Sequence, residues 1–215
     1  MSGCWLDWAK SSLTSKQPSF AAVILAAGKS SRFGGQKVLV DWNGQPLIRH
    51  IALHAIEAGL SPVIVVLGAW LGPIERSLVG LDIKFVHNTD YEKGMGSSLR
   101  SGFKVLPNAV DGAFLFLGDH PYVDQSLIKS MIDHHGNSDV VLPAYEGKPG
   151  HPVLWNSSTF GRIVNMDDNE TGRTIQKGFA CFFLDWPDPM ILRDIDTRED
   201  YQRLLEDHLS GESEQ

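Results

Sequence analysis

The run Leu25-Ala26-Ala27-Gly28-Lys29-Ser30-Ser31-Arg32-Phe33-Gly34-Gly35-Gln36-Lys37 follows an apolar segment at 21–25 and sets three glycines and three cations into one loop. Glycine lets the backbone bend tightly and bring its amides close to an anion, while Lys29, Arg32 and Lys37 can neutralise several phosphate charges. The stretch reads as a phosphate-binding loop whose natural occupant is a nucleoside triphosphate. Its plain alternative is a Gly- and Ser-rich surface turn, so its neighbours must decide. Spacing excludes two familiar phosphate loops. A Walker loop needs glycine five residues before Gly28, where Val23 stands, and the dinucleotide fingerprint does not match the spacing of Gly28, Gly34 and Gly35.

Outward from this loop, β-rich apolar runs at 21–25, 63–67, 83–87, 113–117 and 140–142 alternate with segments that can form helices. Near-continuous apolar strands are those covered on both faces, so the pattern predicts a three-layer α/β/α domain with a mostly parallel twisted sheet. The run 113–117 is the most apolar and is expected at the centre. A crossover helix is predicted over 46–58, with Leu47, Ile51 and Ala55 on one face and Gly59 as its stop. Another is predicted over 124–134, capped by Asp124, and a last one over 198–208, capped by Thr197. Beyond Pro143 the alternation falters into a turn-rich excursion and two extended pieces at 151–155 and 179–184, a place for an insertion that covers a substrate. Residues 1–19 read as a disordered or weakly amphipathic extension, 20–208 as a single domain and 209–215 as a disordered tail.

The totals narrow the class. A chain of 215 residues with 42% hydrophobic content can bury a full core. A net charge of −7 repels polyanions, so nucleic acid is not an expected partner. With Cys4 and Cys181 alone, no disulfide framework is indicated, and no stretch approaches the ~20 apolar residues of a membrane span. The expectation is a cytoplasmic protein, a monomer or weak dimer, with no membrane partner.

Two further elements carry chemistry. Asp119, in Gly118-Asp119-His120-Pro121, falls at the carboxyl end of the most apolar strand, where open α/β sheets bind ligands. A carboxylate there suits Mg²⁺, which takes one or two protein carboxylates plus substrate phosphates; Asp194 and Asp196 offer a second. Each of these also admits a role in capping the helix that follows. The second element, Gly94-Met95-Gly96-Ser97-Ser98-Leu99, is a glycine-rich turn into a helix. It reads either as helix initiation or as a flat backbone surface for a nucleotide base. His134 and His135 are adjacent rather than spaced on one helical face, and Ser97 and Ser98 lack a nucleophile elbow. A phosphate acceptor needs no general base, since its second pKa of about 6 leaves it largely ionised near neutrality.

In this order, the elements resemble the nucleotidyltransferases that attach a nucleotide to molybdopterin, most closely the CTP:molybdopterin cytidylyltransferase group. Ala27, where guanylyl-transferring relatives carry glycine, and the 94–99 turn point to the cytidylyl type. The resemblance implies a Rossmann-like (GT-A-like) nucleotidyltransferase fold in which Leu25, Ala26, Ala27, Gly28, Lys29, Ser30, Arg32 and Lys37 hold the triphosphate. It implies that Gly94, Met95, Gly96, Ser97, Ser98 and Leu99 recognise the base. Arg32, Lys37 and Asp119 would be catalytic, Asp119 and Asp196 would hold Mg²⁺, and Gly150, His151 and Pro152 would face the acceptor. CTP, a molybdopterin-type acceptor and a molybdenum enzyme receiving the product are the implied partners. One departure falls on the acceptor side, where Met166-Asp167-Asp168-Asn169-Glu170-Thr171-Gly172-Arg173 replaces a compact Gly-Asp-x-Gly-x-Arg element. The alternatives are a GTP-using or sugar-phosphate nucleotidyltransferase of the same fold and a non-catalytic nucleotide-binding cofactor chaperone.

Overall fold

The computed structural model describes residues 17–212, so most of the expected N-terminal extension and the last three residues of the expected tail lie outside the described residues. Ser19, placed in that extension, is tied to the domain: its amide donates to the Asp111 carboxylate at 2.8 Å, and its carbonyl accepts from the Asp111 amide at 2.8 Å.

The first strand, β1 (Phe20–Ala26), is paired in parallel on both sides, with β4 (Val63–Leu67) and with β6 (Gly112–Leu117). Two neighbours on one side of β1 follow from crossovers. Helix α1 (Leu47–Glu57) connects to β4, and α2 (Leu71–Ser77) connects to β5 (Ile83–His87), which pairs in parallel with β4. Helix α3 (Met95–Phe103) then carries the chain back across β1 to β6. The reversal between β1 and β6 makes a topological switch point, the place where open α/β sheets leave a crevice at the carboxyl ends of their strands.

On the other side of β6 the parallel order breaks. After α4 (Gln125–Asp133), β7 (Val140–Tyr145) turns into the short β8 (Lys148–Pro149), and β9 (Val153–Asn156) inserts antiparallel between β7 and β6. Glu146 and Gly147 both have positive φ, at 49° and 75°, the backbone of a two-residue hairpin turn that matches strand twist. Asn43 and Gly44, at 54° and 77°, make the same turn between β2 (Asp41–Trp42) and β3 (Gln45–Pro46). Edge strand β10 (Cys181–Asp185) returns to parallel pairing with β7, giving the order β10-β7-β9-β6-β1-β4-β5, with β8 off β7. The run at 113–117 is central, as expected.

Alternation along β1 separates two cores. Ala22 and Ile24 pack with α1, α2, α4 and, through Leu204, α7 (Arg198–Glu212), while Ala21 and Val23 pack with α3, α5 (Phe160–Val164) and α6 (Gly172–Gln176). The result is three layers, with helices on both faces of a mostly parallel sheet.

Helix termini follow their chemistry. The Asp124 carboxylate accepts from the Ser126 amide at 2.6 Å. At α7 the Thr197 hydroxyl accepts from the Asp200 amide at 3.1 Å, and the Asp200 carboxylate accepts from the Thr197 amide at 2.8 Å, a reciprocal cap. Helix α7 continues to Glu212, past the boundary expected at 208, since no proline interrupts its backbone ladder there.

Two measurements follow. Phe114 is fully buried, edge-on to Phe20 and stacked with Phe116, so Phe114→Ala costs about 3–5 kcal/mol in a urea melt. The hydrogen bonds from Thr197 hold the Asp200 carboxyl below the usual carboxylate value of about 3.9. Its contribution is therefore complete above that value and is lost as pH falls through the lower folded value. Urea midpoints of wild type and Asp200→Asn should differ at neutral pH and converge in acid.

Candidate active site

The loop after β1 is shaped by local bonds. Phe33 and Gly34 amides both donate to the Ser30 carbonyl, at 3.1 and 3.2 Å, and Ser30 and Gly34 take positive φ. Phe33 is buried edge-on to Tyr201, which anchors the loop to α7. A single 3₁₀ turn, Lys37–Leu39, then directs Lys37 inward while Val38 enters the core. Asp119 follows β6 directly. Asp196 reaches the same place because the Ile195 amide donates to the Asp119 carbonyl at 2.9 Å and the Ile195 side chain is fully buried.

These three stretches meet at one ammonium. Lys37 Nζ lies 2.5 Å from Asp119 Oδ2 and 3.0 Å from Asp196 Oδ1, and Arg32 Nη1 lies 2.7 Å from Asp196 Oδ2. Burial works to lower the Lys37 pKa, but the two carboxylates outweigh it and the net shift is upward. The hydrogen bond from Lys37 holds Asp196 below the usual carboxylate value. Both carboxylates thus converge on one cation through hard oxygen atoms. That donor set fits a divalent ion such as Mg²⁺, completed by substrate phosphate oxygens, and no group of three or more His, Cys, Asp or Glu ligands occurs among the described residues.

A cleft of about 350 Å³ surrounds this cluster, lined by Leu25 to Gly28, Ser30 to Arg32, Lys37, Tyr91, Gly94, Met95, Ser98, Asp119 and Asp196, among others. Lys29 is not in that lining: its ammonium pairs with Glu92 at 2.5 Å. The turn into α3 divides its residues. Gly94, at φ 108°, and Met95 and Ser98 face the cleft. Gly96 does not, because a Cβ there would collide with the Glu170 carbonyl, which identifies a close approach between α3 and the 166–170 segment. Ser97 is buried, donating to the Asp90 and Gly94 carbonyls at 2.9 and 2.8 Å and accepting from Asn88 Nδ2 at 2.9 Å. The expected face for a base is therefore narrower than the six residues of the turn.

Leu99 instead lines a second cavity of about 460 Å³, with Gly150, His151, His120, Arg173 and Asp194. Pro152 is outside that lining. The two spaces share Leu25, Met95 and Leu117 as a common wall. Burial pushes the His120 imidazole below its ordinary value and that of His151 down to about 3, so both rings are neutral near pH 7. Asp194 and Asp196, considered together from the sequence, are split between the two spaces. Tyr91 and Gln176 were not singled out by sequence reasoning as lining either space, and Thr171 and Arg173 were noted only within the departing 166–173 segment. Only the phosphate loop and strand ends carry a composition signal, whereas Tyr91 opens a single 3₁₀ turn and the other three belong to the five-residue α6 and its cap.

The segment that departs from the compact family element is fastened to α3. Arg100 donates to the Met166 carbonyl at 2.6 Å and pairs with Asp168, while Arg162 pairs with Glu170. It leads directly into α6, whose first turn carries Gly172 and Arg173 to the second cavity.

The description "MobA-like NTP transferase domain" matches residues 22–181. Nicotine blue oxidoreductase of Paenarthrobacter nicotinovorans is 25% identical over 199 residues, covering 87% of this chain and 97% of its own. Molybdenum cofactor cytidylyltransferase of Escherichia coli K12 is 25% identical over 180 residues, covering 83% and 92%. The crystal structure of Rv0371c from Mycobacterium tuberculosis H37Rv superposes with a TM-score of 0.76 at 26% identity, covering 88% of this chain and 98% of that one. With the family match spanning most of the domain and the loop, carboxylates and cleft gathered at the carboxyl edge of its sheet, the chain belongs to the MobA-like NTP transferase domain family and is an enzyme of the nucleotidyltransferase type.

Proposed function

We propose that the enzyme transfers CMP from CTP to the terminal phosphate of a molybdopterin-type acceptor and releases pyrophosphate. The observation that carries this reading is the shared wall: a cleft with Lys37, Arg32, Asp119 and Asp196 abuts a second cavity at Leu25, Met95 and Leu117, which allows a donor and an acceptor to meet there. Ala27 in place of glycine and the Gly94–Met95 turn favour cytidine through the family resemblance, and the similarity to the Escherichia coli molybdenum cofactor cytidylyltransferase supports both substrates.

In this reading the triphosphate lies along the loop amides, with its α-phosphorus toward the shared wall. An oxygen of the acceptor phosphate forms the new bond to that phosphorus, and the bond from the α-phosphorus to the bridging oxygen breaks, with its electron pair leaving on pyrophosphate. Arg32 and Lys37 offset charge on the transferring group and the leaving group. Asp119 and Asp196 would hold Mg²⁺, which supplies further neutralisation of phosphate charge. The acceptor arrives ionised, so neither neutral imidazole of the second cavity has to remove a proton.

Pyrophosphate release measured with each of four nucleoside triphosphates plus purified molybdopterin, followed by mass spectrometry for a dinucleotide-sized product, tests the reading. Preference for GTP moves the assignment to a guanylyltransferase, and product formed only with sugar phosphates moves it to that class. Nucleotide bound without any product indicates a binding chaperone. The oxidoreductase relative motivates one more arm: consumption of a reduced nicotinamide without pyrophosphate release would replace transfer by redox chemistry. Asp119→Ala should lower turnover by about 10²-fold or more at saturating Mg²⁺. Near-wild-type turnover would remove Asp119 from the metal site.

A further inference from the structure

Three of the four carboxylate oxygens offered by Asp119 and Asp196 are already held by side-chain cations. Lys37 takes Asp119 Oδ2 and Asp196 Oδ1, and Arg32 takes Asp196 Oδ2. The Lys37 side chain is only 14% exposed, whereas that of Arg32 is 77% exposed. A divalent ion binding both carboxylates must therefore take an Asp196 oxygen from Lys37 or Arg32 and sit as a like charge beside the enclosed Lys37 ammonium, which then needs another anion, because solvent cannot replace the lost pairing cheaply. A triphosphate entering by itself meets the converse difficulty. It competes with two carboxylates for the same two cations and, once it has them, faces the stripped carboxylates as like charges. With both ligands present every charge has a partner: carboxylates with the metal, phosphates with Lys37 and Arg32.

We propose that Lys37, assisted by Arg32, makes divalent-cation binding and triphosphate binding conditional on each other by an exchange of ion-pair partners. The inference rests on the reading of Asp119 and Asp196 as the metal carboxylates. Linkage makes the coupling reciprocal: whatever factor the triphosphate adds to metal affinity, the metal adds to triphosphate affinity. The cation that assists transfer thus also guards the metal position against occupation without substrate.

The test is Mn²⁺ binding to the purified protein without nucleotide, read from the electron paramagnetic resonance signal of the free ion. Lys37→Met retains an unbranched side chain but removes the charge, so it should bind Mn²⁺ about tenfold or more tightly than wild type while its turnover falls. Asp119→Asn added to Lys37→Met should abolish that gain. Conversely, Asp196→Asn should bind CTP more tightly than wild type by calorimetry in the presence of a chelator. A variant damaged in folding loses both metal binding and turnover, and opposite signs separate the two cases. Wild-type Mn²⁺ binding that Lys37→Met leaves unchanged or weakens, in a variant with an unaltered thermal midpoint, overturns the exchange and leaves the metal site standing. If neither protein binds Mn²⁺, with or without CTP, the metal assignment itself is overturned, and the exchange with it.

Discussion

A sheet buried on both faces leaves its polar chemistry nowhere to go but its edges and ends, and this constraint organises the protein. Along β1 and β6 successive side chains enter opposite cores, so neither strand has a wet face on which to carry a functional group. The first polar positions are those just past each carboxyl terminus: the loop after Ala26 and the Asp119 turn after Leu117. Parallel pairing in register brings those two ends side by side, with Leu25 opposite Leu117. The proximity of a cationic loop to a carboxylate 82 positions later in the chain is a consequence of strand pairing before it is a matter of catalysis.

Electrostatics completes what pairing begins. The chain is acidic overall, yet its cations gather where carboxylates are brought together by the backbone, and Ile195 is the fastener. One main-chain hydrogen bond and one fully buried isoleucine bring the last carboxylate to a site otherwise built from residues 25–119. A similar economy appears where Arg100 of α3 and Arg162 of α5 hold an acidic segment in place. That segment joins the turn at the first cleft to the helix at the second cavity. Asp168 and Glu170, the acidic residues of that segment in these pairs, thus serve as a structural brace.

Legibility in the sequence followed physical type. Strands 63–67 and 83–87 were readable to the residue because an apolar run bounded by turn formers has few other uses. The β2–β3 hairpin was not read, although Asn43-Gly44 is the strongest short signal for its turn; the flanking strands are two residues each and leave no periodicity. Helices α2, α5 and α6, at five to seven residues, are likewise too short for a helical pattern and exist through tertiary packing of Ile74, Ile163 and Ile175. In the site, sequence located the loop and both carboxylates but could not tell which side of a turn faces inward. Gly96 and Ser97 were grouped with Met95 by adjacency, yet helical rotation sends them against Glu170 and Asn88. Lys29 was grouped with Arg32 by charge, and only the fold reveals Glu92 opposite it.

The wall formed by Leu25, Met95 and Leu117 belongs to both chambers at once. A molecule made by joining the contents of both chambers would keep the contacts of each half while giving up its rotational and translational freedom only once. Such an architecture favours retention of what it has made. On the proposed two-substrate reading, departure rather than bond formation would limit the cycle, and Met95, half exposed, stands on the boundary that the two halves share.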